Sequence, residues 1–118
     1  MDWSHTFAPP QPLKRFLDAL DALPDRWLYI PMGVTQIAAT TPCRVCVVDG
    51  TELSPEEQVE LETYPEAIGL QCFLCLTQLE SVLANLREQH PAYSESDLLF
   101  AIDYYWRHDA FIEVHGTA

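Results

Sequence analysis

Proline placement constrains this chain more than any other feature, because proline fixes φ and lacks the N–H that helices and sheets use. Nine prolines cut the sequence into short segments, and the apolar spacing changes from one to the next. After Pro12, residues Leu13, Phe16, Leu17, Leu20 and Leu23 recur at the 3.6-residue spacing of an amphipathic helix, which Pro24 stops. Trp27 to Ile30, held between Pro24 and Pro31, reads as a short strand, and Val34 to Ile37 has some strand character. Arg44 to Val48, closed by Asp49-Gly50, gives a clear strand and turn. Ser54-Pro-Glu-Glu57 is a capping box with proline in the first helical turn, and that helix is expected to end before Pro65.

Gly69 then breaks the chain, and Leu70 to Leu76 reads as a second central strand. Thr77-Gln-Leu-Glu80 has capping-box form, and Leu79, Val82, Leu83 and Leu86 predict the helix behind it, which Pro91 closes. Ser94-Glu-Ser-Asp97 opens a last helix with Leu98, Leu99, Ile102, Tyr105 and Trp106 on its apolar side; Ala110 to Val114 reads as a closing strand. Residues 1–12 carry three prolines and no periodicity and are expected to be an irregular arm, leaving 13–118 as one globular domain. The order of elements predicts an α+β (or α/β) domain with a small sheet of about four strands and three to four helices.

The charge balance bounds the function. There are 18 acidic against 6 basic side chains, a net charge of −12. This argues against nucleic acid, whose phosphates need clustered Lys and Arg, and against an anionic membrane surface. The first 44 residues are balanced: Asp2, Asp18, Asp21 and Asp25 stand against Lys14, Arg15, Arg26 and Arg44. Residues 45–118 hold 14 acids and only Arg87 and Arg107. The densest stretch carries Asp49, Glu52, Glu56, Glu57, Glu60, Glu62 and Glu66 with no cation among them. Such a surface is either a solvated face that keeps the protein soluble or a docking face for a basic protein. Alternating Asp and Asn around a central Gly, as in a calcium loop, do not occur. No basic-then-apolar leader and no apolar run near the roughly 20 residues of a membrane span are present, so a cytoplasmic location is expected.

Cys43-Arg-Val-Cys46 and Cys72-Phe-Leu-Cys75 are two C-x-x-C units, so a four-thiolate zinc site in an adaptor domain is an alternative reading. The intervening residues are Arg-Val and Phe-Leu rather than turn formers, and both units fall in strand-like runs. In a regular strand, residues i and i+3 point to opposite faces, which leaves buried core thiols as the expected state and no metal or other cofactor. A redox pair would want its first cysteine at a helix start, and the Thr77 box sets the helix after Cys75. His5, His90, His108 and His115 are scattered and never fall on one helical face. A small hydrolase pairing a cysteine with His90 or His108 is a second alternative, although no nucleophile motif marks it. Asp103-Tyr-Tyr-Trp-Arg-His-Asp109 is rich in aromatics, and helical spacing cannot bury all three rings on one face. Asp103, Tyr104 and Trp106 therefore form a second candidate contact patch, for a hetero-partner or a homodimer.

The run from Thr77 to Val114, with Leu79-Glu-Ser-Val-Leu-Ala-Asn-Leu, Ser94-Glu-Ser-Asp-Leu, Tyr104-Tyr and Asp109-Ala-Phe-Ile, resembles small acidic bacterial immunity proteins of polymorphic and contact-dependent toxin systems. The resemblance implies a binding protein rather than an enzyme, one that neutralises a cognate basic nuclease domain. On that reading Asp49, Glu52, Glu56, Glu57, Glu60 and Glu62 carry electrostatic docking, and Asp103, Tyr104 and Trp106 form the second patch.

Overall fold

The computed structural model describes residues 6–22, 25–47 and 53–112, with the side chain of Asp21 left aside. Asp49, Glu52 and the Asp49-Gly50 turn lie outside the described residues, as do Leu23, Pro24 and the segment after Ile112. The architecture is α+β, a four-stranded antiparallel sheet with four α-helices among the described residues. The elements run β1 (Gln11–Pro12), α1 (Leu13–Leu17), β2 (Trp27–Pro31), β3 (Pro42–Val45), α2 (Pro55–Ala67), β4 (Leu70–Cys75), α3 (Leu76–Gln89) and α4 (Glu95–His108). The strand order is β1-β3-β2-β4, so β2 is central and pairs Tyr29 with Arg44 on one side and with Cys72 on the other.

Alternation along β2 divides the molecule into two faces. Leu28 and Ile30 are fully buried and face a core completed by Cys43, Phe73 and Leu74 from the sheet. Leu13 and Phe16 of α1, Leu76, Leu79, Val82 and Leu86 of α3, and Leu98, Ala101 and Ile102 of α4 close that core at helical spacing. The other sheet face carries Tyr29 and Arg44 and is covered by Phe7, Tyr64 and Pro65. Phe7 meets Tyr29 edge-on at 4.9 Å and stacks nearly parallel on Tyr64 at 6.1 Å, while the Arg44 guanidinium lies 5.8 Å from the Phe7 ring centre.

The sheet therefore begins earlier than its composition suggests. Residues 6–12, expected as an irregular arm, form its edge: Phe7 bridges Cys46, and Gln11 and Pro12 pair with Cys43 and Pro42. Arg44 donates from Nε to Ala8 O (3.0 Å) and from Nη2 to Phe7 O (3.2 Å), so a side chain of β3 fixes the backbone that proline cannot. Helix α1 stops at Leu17 and the chain continues through a 3-10 turn, Leu20–Ala22. Val34 to Ile37 is not a strand; the Ala38 N–H donates to Thr41 Oγ1 at 2.7 Å, and Ile37 enters the core from a loop. Ala110 to Ile112 are also not a strand, because Asp109 turns left-handed (φ 52°) to end α4.

Two helix boundaries differ as well. Pro65 lies inside α2, which runs on to Ala67. So close to the C-terminus the lost N–H costs one hydrogen bond with little helix left to break, and the buried ring packs the helix end. Helix α3 starts earlier than the Thr77 box implies: Cys75 is its N-cap, and the Cys75 N–H donates to Gln78 Oε1 at 3.0 Å. Its first amides are capped from 50 residues away in sequence, Leu76 N–H on Arg26 O (3.0 Å) and Thr77 N–H on Asp25 Oδ1 (3.1 Å).

The Ser54 box forms as expected, with Glu57 N–H on Ser54 Oγ (3.2 Å) and Ser54 N–H on Glu57 Oε1 (3.1 Å). Ser54→Ala should cost the start of α2 about 1 kcal/mol. Because that end of the helix is exposed, the loss should appear as faster amide hydrogen exchange over residues 57–60, with little change in the global melting point.

Candidate functional site: an acidic helix beside an aromatic-floored cleft

Helix α2 projects its charges into solvent. Glu56, Glu60, Glu62 and Glu66 are exposed and Glu57 is half-buried; among its described side chains only Pro65 is buried. The charges work against the helix that bears them. Glu56 with Glu60, and Glu62 with Glu66, are like-charge pairs at i,i+4, where repulsion lowers helix stability. Glu56 and Glu57 suit the N-terminal end of the helix dipole, but Glu62 and Glu66 approach its negative end, and the last turn holds no basic residue. Helix stability therefore does not explain this array, which leaves the two readings of the sequence, a solubilising face or attraction of cations.

The C-terminal half of α2 and the outer sheet face enclose an open cleft of about 310 Å³. Glu62 and Glu66 line one wall, and Leu70 and Met32 (52% exposed) contribute apolar surface. Tyr29 and Cys72, paired across β2 and β4, lie at its base. Gln71 also lines it, but its amide is committed to Pro31 O at 3.0 Å. Burial, and then the neighbouring thiols, push the Tyr29 hydroxyl up to about 12, so it stays a neutral hydrogen-bonding group at physiological pH. The cleft has an aromatic base, an apolar rim and two carboxylates, a combination suited to the methylene stem and charged head of Lys or Arg. Of its residues only Glu62 belongs to the docking set read from sequence. Tyr29 was legible in the β2 alternation that turns it away from Leu28 and Ile30, but what it would face was not.

Of the four thiols expected in the core only Cys43 is buried there; Cys46 and Cys75 are half-buried and Cys72 is exposed. Cys43 is fully buried in the core, and burial pushes its pKa up to about 12. Cys46, three residues on, shares the outer face with Arg44, so this pair does diverge as a regular strand requires. The second pair does not diverge. A register shift in β4 sets Cys75 opposite Trp27 and Cys72 opposite Tyr29, so Leu28 alone on β2 is matched by Phe73 and Leu74 on β4. Phe73 and Leu74 both turn into the core, and Cys72 and Cys75 return to the same outer face. Cys72 is hydrogen-bonded with Tyr29 and close enough to Cys75 and Cys46 to feel their charge; burial, the largest influence, raises its pKa. With Cys43 on the opposite side, the four sulfurs do not surround one point, and among the described residues no group of three or more His, Cys, Asp or Glu is arranged to hold a metal ion.

In the second patch Tyr104 is set apart by the turn of α4, while Arg107 links Asp103 to the Trp106 ring. Trp106 packs edge-on against Phe73 at 5.2 Å, at the border of the core. Tyr104 leans on His108 at 4.3 Å, on another flank of α4. Asp103 accepts from Arg107 Nε at 2.7 Å and lines a separate groove with Phe100. His90 pairs with Asp97 at 3.4 Å, so both described imidazoles have partners on or beside α4 rather than among the thiols. No helix among the described residues is long and apolar enough to cross a membrane.

Comparison with curated proteins and with solved structures gives no match in either case. One family model, described as a domain of unknown function (DUF7716), matches residues 10–114, which takes in every element from β1 to α4. The chain belongs to the DUF7716 family.

Proposed function

We infer that this chain is an acidic protein-binding module whose partner is a basic protein, and that it serves as an immunity protein neutralising a toxin nuclease domain in the cytoplasm of the cell that makes it. The observation that carries the reading is helix α2: exposed carboxylates in self-repelling i,i+4 pairs, kept where they weaken their own helix. Nuclease domains bind an anionic substrate, so their active faces are basic. An acidic inhibitor gains association rate by steering and can occupy the substrate groove as a charge mimic. The cleft beside α2 supports the same reading, since it offers Glu62, Glu66 and Tyr29 to one inserted Lys or Arg.

The test begins with capture from host lysate at low and at high salt, followed by stopped-flow association with the purified partner. A basic polypeptide released by salt, whose nuclease activity falls to zero at one equivalent of this chain, is the expected result. The triple variant Glu56→Lys, Glu60→Lys, Glu62→Lys should slow association by about tenfold or more and flatten its dependence on ionic strength. Unchanged association would remove α2 from the interface. Capture of a neutral or acidic partner would remove the reading itself.

A further inference from the structure

Helix α4 carries a groove that the acidic helix does not explain. It encloses about 300 Å³ between α4 and the loop that follows β2, lined by Ile37 and Ala38 on one side and by Ser96, Leu99, Phe100 and Asp103 on the other. Phe100 is the most exposed large apolar side chain among the described residues, at 63%. Beside it Asp103 is left incomplete. Its Oδ2 accepts from Arg107 Nε at 2.7 Å, but Oδ1 is closed off from solvent and has no hydrogen-bond donor. A covered carboxylate oxygen without a donor is costly, so the position calls for an explanation.

We propose that this groove is the seat of an arginine side chain presented by the basic partner: its guanidinium completes Asp103 at Oδ1 and its planar face stacks on the ring of Phe100. The inference rests on the partner being basic and adds a specific residue type and a second point of contact. Arginine fits better than lysine on both counts. A guanidinium is flat and weakly hydrated, so it stacks on an aromatic ring and holds a carboxylate from a fixed fork, whereas an ammonium is a compact, strongly hydrated point charge. Oδ1 is covered, so Asp103 has to turn about χ2, a soft torsion, to present it to the groove. Leu99 and Ile37 supply apolar surface for the methylene stem. A second copy of this chain is a poor occupant, because each copy carries a net charge of −12 and the groove ends in a carboxylate.

The experiment uses the whole protein and three small probes of one shape: butylguanidinium, butylammonium and the neutral N-butylurea. Each is titrated against the isotopically labelled chain while the amide and Phe ring signals are followed by NMR. Butylguanidinium should shift Ile37, Ser96 and the Phe100 ring together, with a millimolar dissociation constant. Butylammonium should bind several-fold more weakly, and N-butylurea should leave these signals unchanged. Asp103→Asn should weaken the guanidinium by about tenfold, as for loss of one charge-assisted hydrogen bond. Phe100→Ser, at an exposed position, should weaken it while leaving the fold intact, as read by the unchanged core methyl signals.

Equal shifts from N-butylurea, or full affinity in Asp103→Asn, would overturn the assignment. Guanidinium shifts confined to residues 56–66 would also overturn it while leaving the basic-partner reading standing. Groove signals that move with protein concentration alone would show a second copy there, against the proposal. If the groove binds guanidinium as described but lysate yields no basic protein, the function proposed above falls and takes with it the assignment of the groove to a basic partner, leaving only a guanidinium site.

Discussion

Phe7→Ala should destabilise the domain by about 3 kcal/mol, which for a chain of this length lowers the melting temperature by about 10 °C. Phe7 is 5% exposed, lies between Tyr29 and Tyr64, and carries the Arg44 guanidinium near its ring. Truncation removes the buried ring area, two aromatic contacts and one cation–π contact together, and leaves a cavity between the sheet and α2. Thermal unfolding measures the total, and hydrogen exchange locates it: the Ala8 and Val47 amides, which donate to Val45 O and Thr6 O, should lose protection first. Phe7→Leu should recover much of the loss, since it restores apolar volume without the ring geometry. If Phe7→Ala melts like the parent protein, residues 6–12 are an appendage after all.

The second large effect lies in alkali. In the unfolded chain the Cys43 thiol ionises near 9.0, whereas in the core burial holds it protonated to about 12. Between those values the unfolded state has released a proton that the folded state retains, so stability falls as pH rises through the window and is unaffected below it. A gap of that width corresponds to about 4 kcal/mol, fully lost only at its upper end. Tyr29 acts in the same direction between 10.0 and about 12. Urea unfolding at a series of pH values should show this decline. Cys43→Ala should cost about 1 kcal/mol near neutrality and then lose much less from pH 9 upward, so the two curves converge or cross. Parallel curves would show that Cys43 does not carry the alkaline loss.

What the sequence made legible divides along local and long-range lines. The capping boxes at Ser54 and Ser94 and the apolar spacing of Leu79, Val82 and Leu86 are local, and the structure has all of them. The arm was misread because its order comes from Arg44, over thirty residues away, rather than from its own proline-rich composition. The start of α3 was misread for the same reason, since Asp25 and Arg26 cap it from another part of the chain. The convergence of Cys72 and Cys75 depends on a register shift that exists only once β4 is paired with β2; period-two reasoning gives the opposite answer. Of the docking acids, Glu56, Glu57, Glu60 and Glu62 lie on α2, three exposed and Glu57 half-buried, a placement that the charge count alone does not give. Of the patch at Asp103, Tyr104 and Trp106, the turn of α4 takes Tyr104 to another flank, while Arg107 links Asp103 to Trp106.

The strand order has a consequence for the chain while it is being made. Strand β2 is central, yet one of its two neighbours, β4, begins only at residue 70, and α3 and α4, which supply most of the helical cover of the core, come later still. A ribosome that has released the first half of this protein therefore holds an unfinished sheet with an open apolar face and a bare strand edge, the condition in which nascent chains aggregate. The segment emerging in that interval is the one from Asp49 to Glu66, seven acids and no cation. Like charges on that segment repel one another between neighbouring unfinished chains, a force that opposes their aggregation until β4 arrives.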